Sequence, residues 1–506
     1  MRKSLFKTLV LALVIALAFS MMAGCGGDGN TEGEGNQSDG PRTDVIIATA
    51  NEPPTLAPYK HSAVASTYMN LLTHDNFFRT DIETLEPIPG IIKEYEILSD
   101  KQWKFTIRDD VKFHNGEMMT TADMVASMEY ARENQSYTSN YSNFWESIEI
   151  IDEYNFIVNT KEVYAKTLYD LASHYVLPKS LLDSGNDFNA NPVGTGPYKF
   201  VKWTLGDSVE FEAFEDYWEG APAIKKLTYR IIPEGSSRTI ALEAGEIDFI
   251  VEVETNDLTR LEETNGVTVI NKMGTAFNHL AINNERAPFD NQEFRHALNC
   301  AIDKEALVEV ALNGAGTGVW VQTPPMFEGA SDQNVDSYDL ELAKQHLEAS
   351  GIDPATVEFS IICSDDVKRR SGEVIQANLK ELGITVNLES MDLATYLSTV
   401  ADGDYDAAIG GYTTTNMMSF IEGKFTTKSI NGSNWNRYSD EHLDQLYVDA
   451  TTDLDETSRV ATLQEASAYL NEACPQPSMY LVNVVRAYNS GLQGIEVSAS
   501  NTLRWQ

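Results

Sequence analysis

The chain carries eight histidines, four cysteines and 76 carboxylate side chains, the raw material of metal binding, nucleophilic attack and acid–base work. Their spacing uses almost none of it. No two histidines stand as His-x-x-x-His, the pattern that puts both on one helix face for a transition metal. No Gly-x-Ser-x-Gly turn raises a nucleophile, and no glycine-rich loop ends in Lys-Ser or Lys-Thr to cradle phosphate. Carboxylate pairs such as Glu262-Glu263 and Asp365-Asp366 are common in so acidic a chain and signal no general acid and base. His114, between Phe113 and Asn115-Gly116, reads as a turn residue. Cys300 sits in a helical pattern and Cys363 follows the apolar run Phe359–Ile362, so both read as small core residues. With Cys474 they form an odd, widely spaced set, in which one pair is free to bridge. Tyr137, Tyr141, Phe144 and Trp145 place four aromatics in nine residues, read mostly as local core, with a cleft wall as the other reading. The expectation is no catalytic residue, no metal site, no cofactor and no enzyme.

The elements that must position any site are legible over most of the length. Val45–Ala50 is a short buried-strand run stopped by Asn51-Glu52-Pro53-Pro54, and a helix follows over Val64–Leu72. Trp103–Arg108 alternates apolar and polar residues like a half-buried strand, and Thr120 or Thr121 caps a helix running through Arg132. Further strands are expected at Phe156–Thr160, Tyr198–Trp203, Val209–Phe214 and Leu227–Ile232. Gln292–Leu312 reads as one helix ending at Asn313-Gly314. Leu340–Ala349 is a helix stopped by Gly351 before the strand Val357–Cys363. Arg370–Leu382 is another, stopped by Gly383 before the strand Ile384–Glu389. This helix–glycine–strand rhythm marks α/β units with parallel strands. Helices at Asp440–Thr451 and Glu456–Glu472 and a strand at Met479–Val485 close the pattern.

The first residues are of another kind. Met1-Arg2-Lys3 is positive, Leu9–Phe19 is apolar, and Ala23-Gly24 precedes Cys25, the layout of a secretory signal. The apolar run is shorter than the roughly 20 residues of a membrane span. Met22-Ala23-Gly24-Cys25 resembles a bacterial lipobox, which implies cleavage before Cys25 and lipid attachment there; the plain alternative is a signal peptide with an incidental cysteine. Gly26–Asp44 is polar and glycine-rich with no apolar period, a flexible tether. The chain has a net charge of −39, and losing residues 1–24 removes Arg2, Lys3, Lys7 and no acid, leaving −42. That disfavours nucleic acid and anionic lipid surfaces as partners and otherwise means solubility.

Three segments in order carry a resemblance. They are Thr106-Ile107-Arg108-Asp109-Asp110-Val111-Lys112-Phe113-His114-Asn115-Gly116-Glu117 with Thr121-Ala122-Asp123, then Asn191–Phe200, then Ala287–Asn291 running into Phe294–Leu298 and Ala301–Lys304. Asp216-Tyr217-Trp218 and Gly245–Asp248 reinforce them. From Val45 onward the chain resembles the extracellular solute-binding proteins, family 5, of peptide and nickel ABC transporters, including the oligopeptide- and dipeptide-binding proteins. Gly194, Gly196 and Pro197 suit a tight crossover, so the motifs themselves read as structural.

The resemblance implies an α/β fold of the two-lobed periplasmic-binding-protein type, type II in its large three-domain variant, with mixed sheets and a ligand cleft between lobes. In that layout 1–24 is the signal peptide and 25–44 the tether. Lobe I takes 45–78, 189–283 and 478–506; 79–188 is a small domain inserted in it, and 284–477 is lobe II. The cleft walls match Lys60–Val64 and Tyr405–Asn416, so the expected ligand contacts are Ser62, Val64, Phe277, Asn278, Gly411, Tyr412, Thr413, Thr415 and Asn416. Peptide-binding relatives pair an Asp with the ligand's amino group where this chain has Thr415, and Ile409 replaces an Arg of that wall. Glu52 and Asp392 are the candidates to replace the missing carboxylate, because a desolvated ammonium needs a paired charge. The implied function is capture of a solute, an oligopeptide first, and delivery to the permease and ATPase of an ABC importer. The implied protein is a monomer, anchored through lipid on Cys25 at the outer face of the cytoplasmic membrane. A glycan, a nickel chelate or a sensing role is the alternative.

Overall fold

The computed structural model describes residues 43–138 and 140–505. The expected signal segment, the expected lipidation at Cys25 and the expected tether as far as residue 42 lie outside the described residues. Eleven strands build one large mixed sheet. In chain order they are β1 (Asp44–Thr49), β2 (Tyr198–Thr204), β3 (Ser208–Ala213), β4 (Lys226–Ile231), β5 (Phe249–Ile250) and β6 (Val267–Ile282). Then come β7 (Gly316–Gly318), β8 (Glu358–Cys363), β9 (Thr385–Ser390), β10 (Ala407–Thr413) and β11 (Ser478–Asn489). Across the sheet the order is β9-β8-β10-β6-β11-β5-β1-β4-β3-β2, with β7 paired beside β11.

The expected parallel pairing holds where the helix–glycine–strand rhythm is clear: β8 runs parallel to β9 and β10, and β1 parallel to β4 and β5. Elsewhere the pairs are antiparallel, above all β6 with β11, which run together from Val267↔Asn489 to His279↔Ser478. These two strands carry the sheet from one half of the protein into the other. The register slips between Met273 and Ala276. A Cβ on Gly274 would stand 2.5 Å from the Val482 carbonyl oxygen, so the bulge needs glycine for a close backbone approach.

A second sheet is four-stranded and antiparallel, in the order Ile92–Ser99, Gln102–Ile107, Asn155–Thr160, Trp145–Ile150. The alternation of Gln102–Ile107 buries Trp103, Phe105 and Ile107 in a core of its own, as a half-buried strand must. The helix Thr121–Glu133 starts where expected, with the Asp123 carboxylate accepting from the Thr120 N–H at 2.8 Å. The expected helix Gln292–Leu312 is two helices, Gln292–Ala301 and Lys304–Leu312. Asp303 caps the second by accepting from the Ala306 N–H at 2.9 Å, an interaction of about 1 kcal/mol that favours a break over a continuous helix. The Asn191–Phe200 motif is a crossover as expected: a Cβ on Gly196 would meet the Leu72 carbonyl oxygen at 2.5 Å. His114 closes that corner, its N–H donating to the Gly194 carbonyl at 2.9 Å and its ring 2.9 Å from the Gly196 carbonyl. Burial holds the His114 imidazole down to about 4, so it is a neutral structural group. Cys300, Cys363 and Cys474 are buried and free.

Candidate functional site

A cavity of about 330 Å³ opens where the loop after β1, the helix Val64–Thr73, the segment carrying the second sheet and the tip beyond β10 converge. Five tyrosines line it: Tyr59, Tyr137, Tyr141, Tyr169 and Tyr175. Prolines at 53, 54 and 58 lack amide protons and keep the loop after β1 out of the sheet. The loop delivers Tyr59 with φ +63°, a left-handed backbone costly for an aromatic residue. Two hydrogen bonds hold that strain. The Tyr59 hydroxyl donates to the Tyr175 carbonyl at 2.8 Å and accepts from the Tyr175 N–H at 2.5 Å. The Tyr59 and Tyr175 rings meet edge-on at 5.6 Å, and Tyr141 stands edge-on to His174 at 5.3 Å. Tyr169 donates to the Glu86 carboxylate, which burial first of all pushes up to about 7. His61 lies 2.7 Å from the Asn70 amide nitrogen, and burial lowers its pKa.

The segment of the second sheet is tied to the helices after β10. The Ala165 N–H donates to the Thr451 carbonyl at 2.9 Å, and Lys166 reaches Glu422 at 2.7 Å. Leu85 and Ala165 join the apolar core around Phe420, Leu446 and Leu470. Burial opposes ionisation of Glu422, but Lys166 and Lys428 outweigh it and hold its carboxyl down to about 2.

Of the nine expected contacts, Thr415 lines this cavity. Ser62 and Val64 are exposed beside His61, which also lines it. The strand period divides the others. Asn278, Gly411 and Thr413 share one face of the β6–β10 pair, with Gly411 and Thr413 exposed. Phe277 and Tyr412 take the opposite face, against the helix Met417–Phe425. Phe277 is fully buried in that core, so the expected side-chain contact there is corrected: its alternation points it away from the open face. Tyr412 meets Phe420 edge-on at 5.9 Å, a packing role. Asn416 is buried and caps the same helix, accepting from the Ser419 N–H at 2.9 Å. The two candidate replacement carboxylates are engaged elsewhere. Glu52 accepts from Trp203 Nε1 and the Gly206 N–H, both at 2.9 Å, and Asp392 caps the helix Leu393–Asp402. Beneath Gly410, fully buried His279 accepts from Lys424 at 2.6 Å, and burial holds Lys424 down to about 7.

The aromatic run Tyr137–Trp145 divides as well. Tyr137 and Tyr141 reach the cavity, while Phe144 and Trp145 are buried in the second sheet's core. The sequence reading missed Tyr59, Tyr169 and Tyr175, which come from separate segments and share no motif. Proline flanking at Tyr59 was the only local signal of an unusual backbone.

The family model of the bacterial extracellular solute-binding proteins, family 5 Middle, matches residues 86–431. Heme-binding protein A of Haemophilus influenzae is 25% identical over 508 residues, spanning 92% of this chain and 92% of that protein. Oligopeptide-binding protein AppA of Bacillus subtilis is 23% identical, spanning 97% and 96%. Among solved structures, HbpA2 from Haemophilus parasuis superposes with a TM-score of 0.83 at 22% identity, covering 92% of this chain and 100% of that one. The fold is the expected one: mixed α/β and two-lobed, with β6 and β11 passing between the lobes.

Proposed function

We propose, from the premise that this chain belongs to family 5 of the bacterial extracellular solute-binding proteins, that it captures a solute between its lobes and delivers it to an ABC importer. The observation that carries the reading is the 330 Å³ cavity, where Thr415 beyond β10 meets the tyrosines of the loop after β1 and of the second sheet's segment. Binding then acts as a population shift: a solute touching both walls has more contacts in the closed form, and favours it by that difference in affinity. The closed form presents the surface that the permease reads, and no bond is made or broken. Ser62, Val64, Asn278, Gly411, Thr413 and Thr415 remain the proposed contacts along the walls, with the five tyrosines added.

The receptor works outside the cytoplasmic membrane as a monomer, held by lipid on Cys25, with the polar tether giving it reach. An oligopeptide is the ligand class the resemblance implies. Native mass spectrometry of the mature chain tests the reading, together with a transport assay in cells lacking it. A bound small molecule whose uptake falls in those cells is the expected result. A chain that carries and binds no solute, and whose loss changes no uptake, overturns it.

A further inference from the structure

Seventeen residues line the cavity, and none is Asp, Glu, Lys or Arg. Charged residues make up 22% of the chain, so a random set of that size would hold about four. Glu86, between the lining residues Leu85 and Pro87, is engaged by the Tyr169 hydroxyl. Thr415 stands where an amine-pairing Asp was expected, and Glu52 and Asp392 are committed to backbone and indole donors. What the wall offers instead is hydroxyls and amides from Thr67, Asn76, Thr80, Ser173, Thr415 and Thr502, set among tyrosine rings.

We infer that the enclosed ligand is an uncharged, hydroxyl-rich, ring-containing solute, a neutral di- or oligosaccharide, rather than a zwitterionic peptide. The inference rests on the solute-capture reading above and narrows it. An ammonium or carboxylate taken from water into a wall without counter-charge loses several kcal/mol of hydration with nothing to replace it. A sugar hydroxyl loses far less and recovers it from Ser, Thr and Asn side chains that both donate and accept. The flat, apolar C–H faces of a pyranose ring match the apolar body of tyrosine. A volume of about 330 Å³ lies at the small end of ligand sites and has room for about two sugar rings.

The test is calorimetry on the mature chain with three matched probe sets. These are neutral disaccharides and trisaccharides of glucose, xylose and galactose; zwitterionic di- and tripeptides; and the same peptides acetylated and amidated. The expected result is binding by at least one saccharide, at least tenfold tighter than any peptide, with an affinity that changes less than twofold between 20 mM and 500 mM salt. Tyr137→Ala and Tyr141→Ala should each weaken it at least tenfold while circular dichroism stays unchanged. If either variant fails to fold, Tyr137→Phe and Tyr141→Phe keep the rings and should retain most of the affinity. Zwitterionic peptides binding best would overturn the inference and leave solute capture standing. Capped peptides binding as tightly as every saccharide would overturn the sugar assignment. Failure of every probe overturns it too, and a chain that also carries no solute from the cell overturns the capture reading.

Discussion

Lys166→Met removes the more deeply buried charge of the ion pair that ties the second sheet's segment to the helices after β10. The Lys166 side chain is 7% exposed and Glu422 30%, so water screens the pair only in part. Glu422 falls from an ordinary 4.5 to about 2, and at about 1.4 kcal/mol per unit this is roughly 3 kcal/mol favouring its ionised form. Lys166 and Lys428 share that stabilisation, because Lys428 also reaches Glu422, at 2.8 Å. Assigning Lys166 somewhat more than half, for its burial, gives about 2 kcal/mol lost from the closed form. If closure is coupled to binding, affinity should drop by roughly 10- to 30-fold. Calorimetry with the co-purified solute measures the affinity, and small-angle scattering of the ligand-free protein should show the variant more open. The pH dependence has a fixed sign. A depressed carboxyl stabilises the closed form above its ordinary pKa and loses that contribution as pH falls through its lowered one. The gap between wild type and variant should therefore be constant above about pH 5 and vanish as pH falls from 4.5 toward 2. An affinity within twofold of wild type, with unchanged scattering, would refute the idea that this ion pair holds the lobes together.

Other outcomes follow from the same geometry. Gly196→Ala puts a methyl against the Leu72 carbonyl oxygen at 2.5 Å and His74 N at 2.6 Å, all unyielding backbone, and should cost about 1–3 kcal/mol or more in a thermal melt. Gly206→Ala, at φ +72° with nothing within 4 Å, is the control and should cost about 1 kcal/mol. Lys424 is lowered by burial to about 7, so the unfolded chain binds more protons between there and 10.5. Stability should rise with pH across that window, and Lys424→Met should flatten the rise in denaturant titrations. Thr415→Asp places a carboxylate on the cavity wall, and should gain at least tenfold for amine-bearing probes while weakening neutral ones in competition calorimetry.

The sequence disclosed the elements whose signals are local. Leu340–Ser350 ends at Gly351 in the left-handed region as its glycine foretold, and the Gly194–Gly196 crossover sits where its motif placed it. It did not disclose β6. In Val267–Ile282 the polar pairs Asn271-Lys272 and Asn278-His279 interrupt the apolar residues and the register slips at Gly274-Thr275, so no single period runs through it. The strand Met479–Val485 proved to be part of the longer Ser478–Asn489, whose far end includes Arg486, a charge that reads as surface and is 4% exposed here. Its terminal guanidinium nitrogens donate there to the Asn501 and Tyr68 side chains and the Val485 carbonyl, partners that only the fold supplies. The site was legible only at Thr415 and around His61, where family motif and cavity coincide. The tyrosines converge from residues 59, 137, 141, 169 and 175, and convergence across more than a hundred residues leaves no pattern in one dimension.

The place of β11 in the sheet bears on when this protein can fold. Ser478–Asn489 is made among the last residues of the chain, yet it lies in the sheet's interior, between β6 and β5. Until it emerges, both neighbours expose an unpaired edge and the two halves of the sheet have no seam. Its pairing with residues more than two hundred positions earlier is a long-range closure, slow and incompatible with stepwise completion during synthesis. A fold built this way stays unfinished until Ser478–Asn489 is free to pair with both neighbours.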